Sequence, residues 1–375
     1  MKRELNYCVI GAGNGGLAMA GYLSMIGYKV NLYNRTLDKI LALIKEPVIY
    51  LTGEKNGIGV LNKVTNSMEE AIENADVIMV TTPALAHHSL AKEMAPYLKD
   101  GQIIVLNPGR TGGALEVYET LLRERKRNNI IVAEAQTFIY AARSSSINNA
   151  HIFKSKKEVS LAAIPATKTD YVLELINEAY PQFISAKDVL ETSINNYGAI
   201  FHPAPTILNS GHIERCSPFE YYREGITPSV ANYLEKIDRE RMELGRLLQV
   251  DAKSSVQWLY ESYGAEGDNL YEAVQNNPGY TGLQAPQGLY TRYIYEDVPC
   301  SLVPMESIAA LFGLKTPAIT SMINIAQIMT NRDFRSEGRS AKKLGLDGLS
   351  ITEMHLLARQ GRISKRRLDE FTEVV

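Results

Sequence analysis

The sequence has little of what marks secreted, membrane-spanning or nucleic-acid-binding proteins. Its 375 residues contain only three cysteines, Cys8, Cys216 and Cys300, and carry a formal net charge of -2. Widely spaced cysteines without a C-x-x-C pair indicate reduced thiols rather than a disulfide framework. The small net charge gives no reason to expect a nucleic acid partner.

Long apolar runs are also missing. No stretch reaches the roughly 18 to 20 residues that a membrane helix requires. The opening residues, MKREL, lead directly into a strand-like run and leave no space for a signal peptide. We therefore expect a cytoplasmic protein without a membrane partner. A chain of 375 residues is too long for one ordinary core, so we expect two domains.

What is present begins with a complete strand-helix-strand pattern near the start of the chain. An apolar run over residues 7–10 stops at Gly11, and Gly11, Gly13 and Gly16 match G-x-G-x-x-G. A helical pattern follows, and then a second strand-like run over residues 29–33. Glycine at these positions permits a tight turn, close approach of a pyrophosphate and close helix packing. An ordinary glycine-rich turn is the alternative, but the flanking elements favour a dinucleotide-binding unit.

The end of the second strand usually distinguishes NAD from NADP. An acidic residue there would bind the ribose 2′-hydroxyl, but this chain has Asn34, Arg35 and Thr36. The guanidinium of Arg35 offers donors that match a phosphate. We therefore predict NADP as the cofactor. The alternative is NAD, with Arg35 stacked on the adenine.

Further apolar runs predict buried parallel strands whose carboxyl ends meet at one edge of a sheet. They cover residues 77–80, 103–106 and 130–133, and residues 159–164 are interpreted as the last strand. His87 and His88 are interpreted as solvated residues of a first helical turn. The predicted cofactor-binding residues are Gly11, Gly13, Asn14, Gly15, Gly16, Asn34, Arg35, Thr36, Thr82, Pro83 and Asn107.

The second half of the chain has helical periodicity and few strand-like runs. Thr227 and Pro228 indicate an N-cap and a first-turn proline, and Ser350 with Glu353 forms a capping-box pattern. We place the boundary near residue 186. The predicted fold is a Rossmann-type doubly wound α/β domain over residues 1–186, followed by an all-α domain over residues 187–375.

Two stretches of the helical half carry candidate chemistry. His202 precedes a proline and is therefore expected at a helix break. Residues 292–299, RYIYEDVP, place a cation and two carboxylates before another proline. Each stretch alone is commonplace, since most histidines are not catalytic and such charges often form a salt-bridged turn. Together they provide a proton-transfer pair and an anion-binding group.

These motifs resemble those of the opine dehydrogenases, the octopine and nopaline dehydrogenase family. The resemblance spans nearly the whole chain: GAGNGG at 11–16, NPGRTGG at 107–113, FHPAP at 201–205 and RYIYEDVP at 292–299. It implies NAD(P)H-dependent condensation of an amino acid with a 2-oxo acid such as pyruvate. It also implies a helical domain like the C-terminal domain of 6-phosphogluconate dehydrogenase.

The resemblance assigns roles to individual residues. It implies that His202 is the general acid/base, Asp297 its carboxylate partner and Arg292 a carboxylate binder. Gln136 and Thr137 are expected to help to recognise the amino acid. We expect no metal, and the expected partners are an amino acid and a 2-oxo acid. A homodimer is left open.

Two alternatives remain at this point. One is a reductase of the 2-dehydropantoate, glycerol-3-phosphate or 6-phosphogluconate type, which would use a catalytic lysine such as Lys187. The other is a nucleotide-binding regulator without turnover, which would not need His202 and Asp297.

Overall fold

The structure, a computed structural model, describes residues 5–125, 129 and 131–362. Within these residues, contacts group the chain into two compact units. The first unit contains the chain up to Gly109, Gly113–Thr192 and the chain from Leu349 onward. The second contains Arg110–Gly112 and Ser193–Gly348. The boundary predicted near residue 186 stays a prediction.

The strands all lie in the first unit. In chain order they are β1 Asn6–Ile10, β2 Lys29–Tyr33, β3 Val48–Gly53, β4 Gly57–Val60, β5 Lys63–Thr65, β6 Val77–Val80, β7 Ile103–Leu106, β8 Ile131–Ala135, β9 Tyr140–Ser146, β10 Asn149–Ser155, β11 Val159–Ile164 and β12 Phe183–Ser185.

The helices are spread over both units. In chain order they are α1 Asn14–Met25, α2 Leu41–Lys45, α3 Met68–Ile72, α4 His87–Met94, α5 Gly113–Arg125, α6 Thr169–Ile176, α7 Val189–Ile194, α8 Gly198–Phe201, α9 Pro203–Leu208, α10 Ser210–Glu214, α11 Pro228–Leu247, α12 Ser255–Tyr263, α13 Leu270–Gln275, α14 Arg292–Tyr295, α15 Val303–Leu311, α16 Pro317–Thr330, α17 Phe334–Glu337 and α18 Ile351–Gln360.

The main sheet of the first unit has the strand order β12-β11-β8-β7-β6-β1-β2-β5. The strands from β8 to β5 are parallel, and the order reverses between β1 and β6. Ligands of open α/β sheets bind at such a reversal, beside the carboxyl ends of the strands. The predicted Rossmann-type sheet is confirmed. The strand predicted over residues 130–133 is β8, although residue 130 lies outside the described part of the chain.

One detail of the predicted sheet was wrong. β11 is not the last strand, because β12 pairs parallel to it, and β11 itself runs antiparallel to β8. The apolar run that identified β11 carries no information about strand direction. The three-residue β12 was too short to give a pattern of its own.

A second sheet, with the order β4-β3-β10-β9, was not predicted. Its buried side chains, among them Ile49, Leu51 and Ile152, pack in the same core as α1. A side chain at Gly59 would overlap the backbone of Gly21 in α1. Helix α1 is therefore enclosed by the main sheet and the second sheet, which explains why its residues are apolar on nearly every side.

The second unit is helical, as predicted, and is organised around α11. This 20-residue helix packs against α8, α9, α13, α15 and α16. The predicted cap is confirmed, since the Thr227 side chain accepts a hydrogen bond from the Val230 N–H. The predicted capping box of Ser350 is also confirmed, at the start of α18. Helix α18 belongs to the first unit, where its buried residues, such as Met354 and Leu357, lie on the side that packs against β11.

No helix among residues 5–125 and 131–362 combines the length and the apolarity needed to cross a membrane. All three cysteines are free thiols, with Cys8 and Cys300 buried and Cys216 exposed.

Candidate active site

In the first unit, the glycine-rich loop lies between β1 and α1, where the motif predicted it. Gly11 has φ of +112°, a conformation that disfavours other residues. A side chain at Gly16 would overlap the Gly11 carbonyl oxygen, whereas a Cβ at Gly13 would meet nothing within 4 Å. Gly11 and Gly16 are thus required by the turn and its packing. Gly13 leaves open space in front of the helix.

This open space suits a pyrophosphate. Gly13 is the N-cap residue of α1 and supplies no side-chain cap, and the first N–H groups of a helix have no partner within the helix. Asn14 begins α1, and its Oδ1 accepts a hydrogen bond from the Ser144 N–H at 3.0 Å. Gly15 approaches the Phe138 ring so closely that a Cβ would lie 2.6 Å from it. Anions are stabilised at such a helix end by the N–H groups and the helix dipole.

Asn34 connects the end of β2 to the glycine-rich loop. Its Oδ1 accepts a hydrogen bond from the Ala12 N–H at 3.2 Å, and its Nδ2 donates to the Thr36 carbonyl at 2.9 Å. The side chains of Arg35 and Thr36 are exposed. The asparagine therefore holds the loop, and the arginine remains accessible to a ligand.

The neighbouring strands end in polar groups at the same edge. Thr82 and Pro83 follow β6, and Asn107 follows β7. Thr82 Oγ1 and Asn107 Oδ1 are buried and have no hydrogen-bond partner among the described residues. Buried polar atoms of this kind usually have a partner, and a nucleotide would supply one. The residues of this edge therefore fit a dinucleotide.

Gln136 and Thr137 follow β8. The Gln136 N–H donates to the Ser160 carbonyl at 2.8 Å, and Thr137 Oγ1 accepts a hydrogen bond from Lys156 Nζ at 2.6 Å.

The interpretation of His87 and His88 as solvated residues was half right. His88 is exposed, but His87 is 1% exposed, since its side chain lies on the face of α4 that packs inward.

In the second unit, the predicted catalytic pair is in direct contact. His202 Nδ1 lies 2.8 Å from Asp297 Oδ2. As predicted, His202 stands at a helix break, between α8 and α9. The Asp297 side chain is 0% exposed and that of His202 is 19% exposed. A carboxylate at this distance favours the tautomer with the proton on Nδ1, which leaves Nε2 for proton exchange.

An aromatic ring covers the imidazole. The Tyr293 ring stacks on His202 with a centroid distance of 4.3 Å and an interplanar angle of 12°. Burial raises the pKa of Tyr293, and the negative charge of Asp297 adds to the effect. The phenol is therefore neutral at physiological pH, and its face restricts the rotation of the imidazole.

Arg292, the predicted carboxylate binder, pairs with a carboxylate of its own chain. Its Nε lies 2.7 Å from Glu296 Oε2, one helical turn away. The Arg292 side chain is nevertheless 63% exposed, so the edge of the guanidinium that faces away from Glu296 is accessible. The glutamate orients the arginine without covering it.

Sequence reasoning gave no role to Arg110, which joins this group. Arg110 Nη1 lies 3.1 Å from Asp297 Oδ1, and its Nε lies 3.4 Å from Glu296 Oε1. Although burial disfavours its charge, the two carboxylates hold the pKa of Arg110 above its usual value. The signal in the sequence was a cation inside the glycine-rich stretch NPGRTGG. In the structure the backbone φ of Arg110 is +64°.

The comparisons with known proteins cover both halves of the chain. The family model described as NAD/NADP octopine/nopaline dehydrogenase, alpha-helical domain, matches residues 185–330. The model for ketopantoate reductase PanE/ApbA matches residues 7–165. An opine dehydrogenase of Arthrobacter sp. (strain 1C) is 37% identical over 351 residues, which are 93% of this chain and 98% of that protein.

Solved structures resemble the same fold. Octopine dehydrogenase in complex with NADH and agmatine has a TM-score of 0.81 at 22% identity and covers 96% of this chain and 99% of its own. Yersinopine dehydrogenase with NADP⁺ bound has a TM-score of 0.74 at 14% identity, with coverage of 96% and 99%.

Proposed function

Because the chain belongs to the opine dehydrogenase family, we propose that it joins an amino acid to a 2-oxo acid and reduces the product to a secondary amine. Membership makes the chain an NAD(P)-dependent oxidoreductase. Octopine dehydrogenase structures contain NADH with L-arginine and NADH with pyruvate. These ligands support an amino acid and a 2-oxo acid such as pyruvate as the substrate classes.

The observation that carries the proposal is the contact between His202 and Asp297. Condensation produces a carbinolamine, which must lose water before an imine can be reduced, and that loss needs a proton donor near neutral pH. Protonated at Nε2, His202 donates this proton to the departing hydroxyl. The 2.8 Å contact with Asp297 orients the ring and accepts its Nδ1–H, so that Nε2 faces the reaction.

Arg292 holds the carboxylate of the 2-oxo acid. Its Nε is engaged by Glu296 at 2.7 Å, and its exposed edge presents two further N–H groups that match a carboxylate. Gln136 and Thr137 assist with the amino acid. A cation, Lys156, lies beside the Thr137 hydroxyl and supports the binding of an acidic group there.

The glycine-rich loop holds the cofactor, which supplies the hydride when it is bound. Gly13, Asn14 and Gly15 receive the pyrophosphate at the start of α1, and Gly11 and Gly16 form the turn that places them. Asn34, Thr82, Pro83 and Asn107 complete the surroundings. One water leaves during the condensation, and one hydride and one proton are taken up during the reduction.

We further propose that NADP is the preferred cofactor, because Arg35 and Thr36 are exposed at the end of β2, where a 2′-phosphate would lie. Among the solved relatives, one carries NADH and another carries NADP⁺. A cytoplasmic location and a homodimer stay predictions, and light scattering on the purified protein tests the second.

The decisive experiment mixes the protein with NADPH, a panel of amino acids and a panel of 2-oxo acids. We expect NADPH oxidation only when both substrate classes are present, and a product mass equal to their sum minus one oxygen atom. Oxidation with a 2-oxo acid alone would instead favour a simple keto reductase. Absence of turnover with every pair, while NADPH binds, would contradict the proposal.

A further inference from the structure

Two consecutive residues of the second unit carry buried carboxylates. Glu296 is 2% exposed and Asp297 is 0% exposed. Buried carboxylates are costly unless a cation and hydrogen bonds compensate them. A displaced Asp297 would no longer hold His202 in one tautomer.

Arg110 is the cation that touches both. Its Nη1 reaches Asp297 Oδ1 at 3.1 Å and its Nε reaches Glu296 Oε1 at 3.4 Å. The opposite oxygen of each carboxylate is used elsewhere: Asp297 Oδ2 contacts His202, and Glu296 Oε2 contacts Arg292. The Arg110 guanidinium therefore contacts both the carboxylate that holds His202 and the carboxylate that holds Arg292.

Two further features support the contact between Arg110 and Asp297. The Ser301 hydroxyl donates to Asp297 Oδ1 at 3.3 Å, beside the guanidinium. Gly198, at the start of α8, leaves the space in which the pair meets. A Cβ there would overlap Arg110 Nη1 and lie 3.0 Å from Asp297 Oδ1.

We propose that Arg110 is a positioning residue, which holds the Glu296 and Asp297 carboxylates in place and thereby orients Arg292 toward the substrate and the imidazole of His202 for proton transfer. The inference rests on the proposed function. Arg110 itself touches neither substrate nor cofactor in this role. Gly198 contributes to the same contact, since a side chain there would separate Arg110 from Asp297.

The first test uses Gly198→Ala, which changes no charge and favours helix formation. We expect kcat to fall roughly 10- to 100-fold, the value of a hydrogen bond to a charged group, while NADPH affinity stays unchanged. The matched control is Gly211→Ala in α10, where a Cβ meets nothing within 4 Å. Equal kcat in both variants would overturn the proposal.

The second test uses Arg110→Gly, which suits the backbone φ of +64° and leaves a cavity for a guanidinium ion. We expect a low kcat that millimolar guanidinium restores in part and methylammonium restores less. Arg335→Gly removes a comparable arginine, which pairs with Glu306 at 2.7 Å, and should show no such rescue. A folded Arg110→Gly protein with unchanged kcat would contradict the proposal.

A third measurement does not depend on turnover. In ¹⁵N-histidine-labelled protein, assigned with His202→Ala, we expect wild type to show the Nδ1-protonated tautomer of His202. Gly198→Ala and Arg110→Gly should show mixed tautomers, and guanidinium should reverse the change in the latter. Absent turnover with this pattern present would contradict only the proposed function. Unchanged spectra in both variants would contradict only the role of Arg110.

Discussion

The cofactor edge of the first unit, which comprises the glycine-rich loop and the ends of β2, β6 and β7, and the charged cluster of the second unit depend on different kinds of interaction. The first uses backbone and missing side chains: Gly11 forms the turn, Gly16 permits packing and Gly13 leaves space. The second uses charged side chains in contact, with His202, Asp297 and Arg110 in a row.

The difference decides what a substitution does in each unit. A backbone site fails when atoms are added, because the space is the functional feature. A charge cluster fails when its members are removed or separated, because the buried charges then lose their partners. Substitutions in both units test this contrast.

The largest effect is expected at His202. Because a general acid contributes ~10²- to 10⁴-fold, His202→Ala should lower kcat by about that range. NADPH affinity, measured by fluorescence titration, should stay near the wild-type value. His212→Ala, at an exposed histidine of the same unit, is the control and should retain full turnover.

Asp297→Asn should also lower kcat, since an amide can present a donor instead of an acceptor to His202 Nδ1 and no longer fixes one tautomer. If the two residues act as one unit, the double variant His202→Ala/Asp297→Asn should cost little more than the worse single variant. Losses that multiply would mean that the two residues act independently and that the proton comes from another group.

The next effect concerns Arg35, the one charged side chain proposed for the cofactor edge. Charge-assisted hydrogen bonds contribute about 1.5 to 3 kcal/mol, so Arg35→Ala should weaken NADPH roughly 10- to 100-fold and change NADH little. Lys39→Ala removes a nearby exposed cation and controls for long-range charge. Equal losses for NADPH and NADH would refute the 2′-phosphate assignment.

Gly16 and Gly13 test whether the cofactor edge depends on backbone packing and open space. Gly16→Ala should destabilise the protein by about 1 to 3 kcal/mol, the usual cost of overpacking, because the new Cβ overlaps a carbonyl oxygen. Gly13→Ala should leave the melting temperature unchanged, since its Cβ meets nothing within 4 Å, and should instead weaken both cofactors. The reverse pattern would mean that the pyrophosphate lies elsewhere.

The smallest effect is expected at Arg292. Arg292→Lys keeps the charge but loses the planar fork, so KM for the 2-oxo acid should rise by a few-fold to about tenfold, the cost of one hydrogen bond. Arg223→Lys, in a longer ion pair with Glu220 at 3.9 Å, controls for replacing an accessible arginine of the same unit. Unchanged KM in a folded Arg292→Lys protein would leave Arg292 a purely structural role.

The parts of the fold that were predicted all have local causes. A G-x-G-x-x-G motif, an N-cap at Thr227 and a capping box at Ser350 each depend on residues within one or two turns. The second sheet was not predicted. Its strand Val48–Gly53 alternates buried and exposed residues, whereas the predicted strands were recognised by the continuous apolar runs of buried parallel strands.

The candidate site divides in the same way. His202 and the residues from Arg292 to Asp297 were found because prolines and clustered charges mark them in the sequence. Arg110 was not found, since its partners are Glu296 and Asp297, 186 residues away in the former case. No spacing rule connects positions so far apart.

The position of the cofactor loop, the helical character of the second half and the family resemblance can all be read from the amino-acid order, because each depends on short-range patterns of glycine, proline and apolar residues. The contact of Arg110 with Asp297, and the space that Gly198 leaves for it, became visible only in the folded chain. The physical reason is that a buried ion pair is defined by distance in space. The chain must fold before one guanidinium can compensate two carboxylates at once.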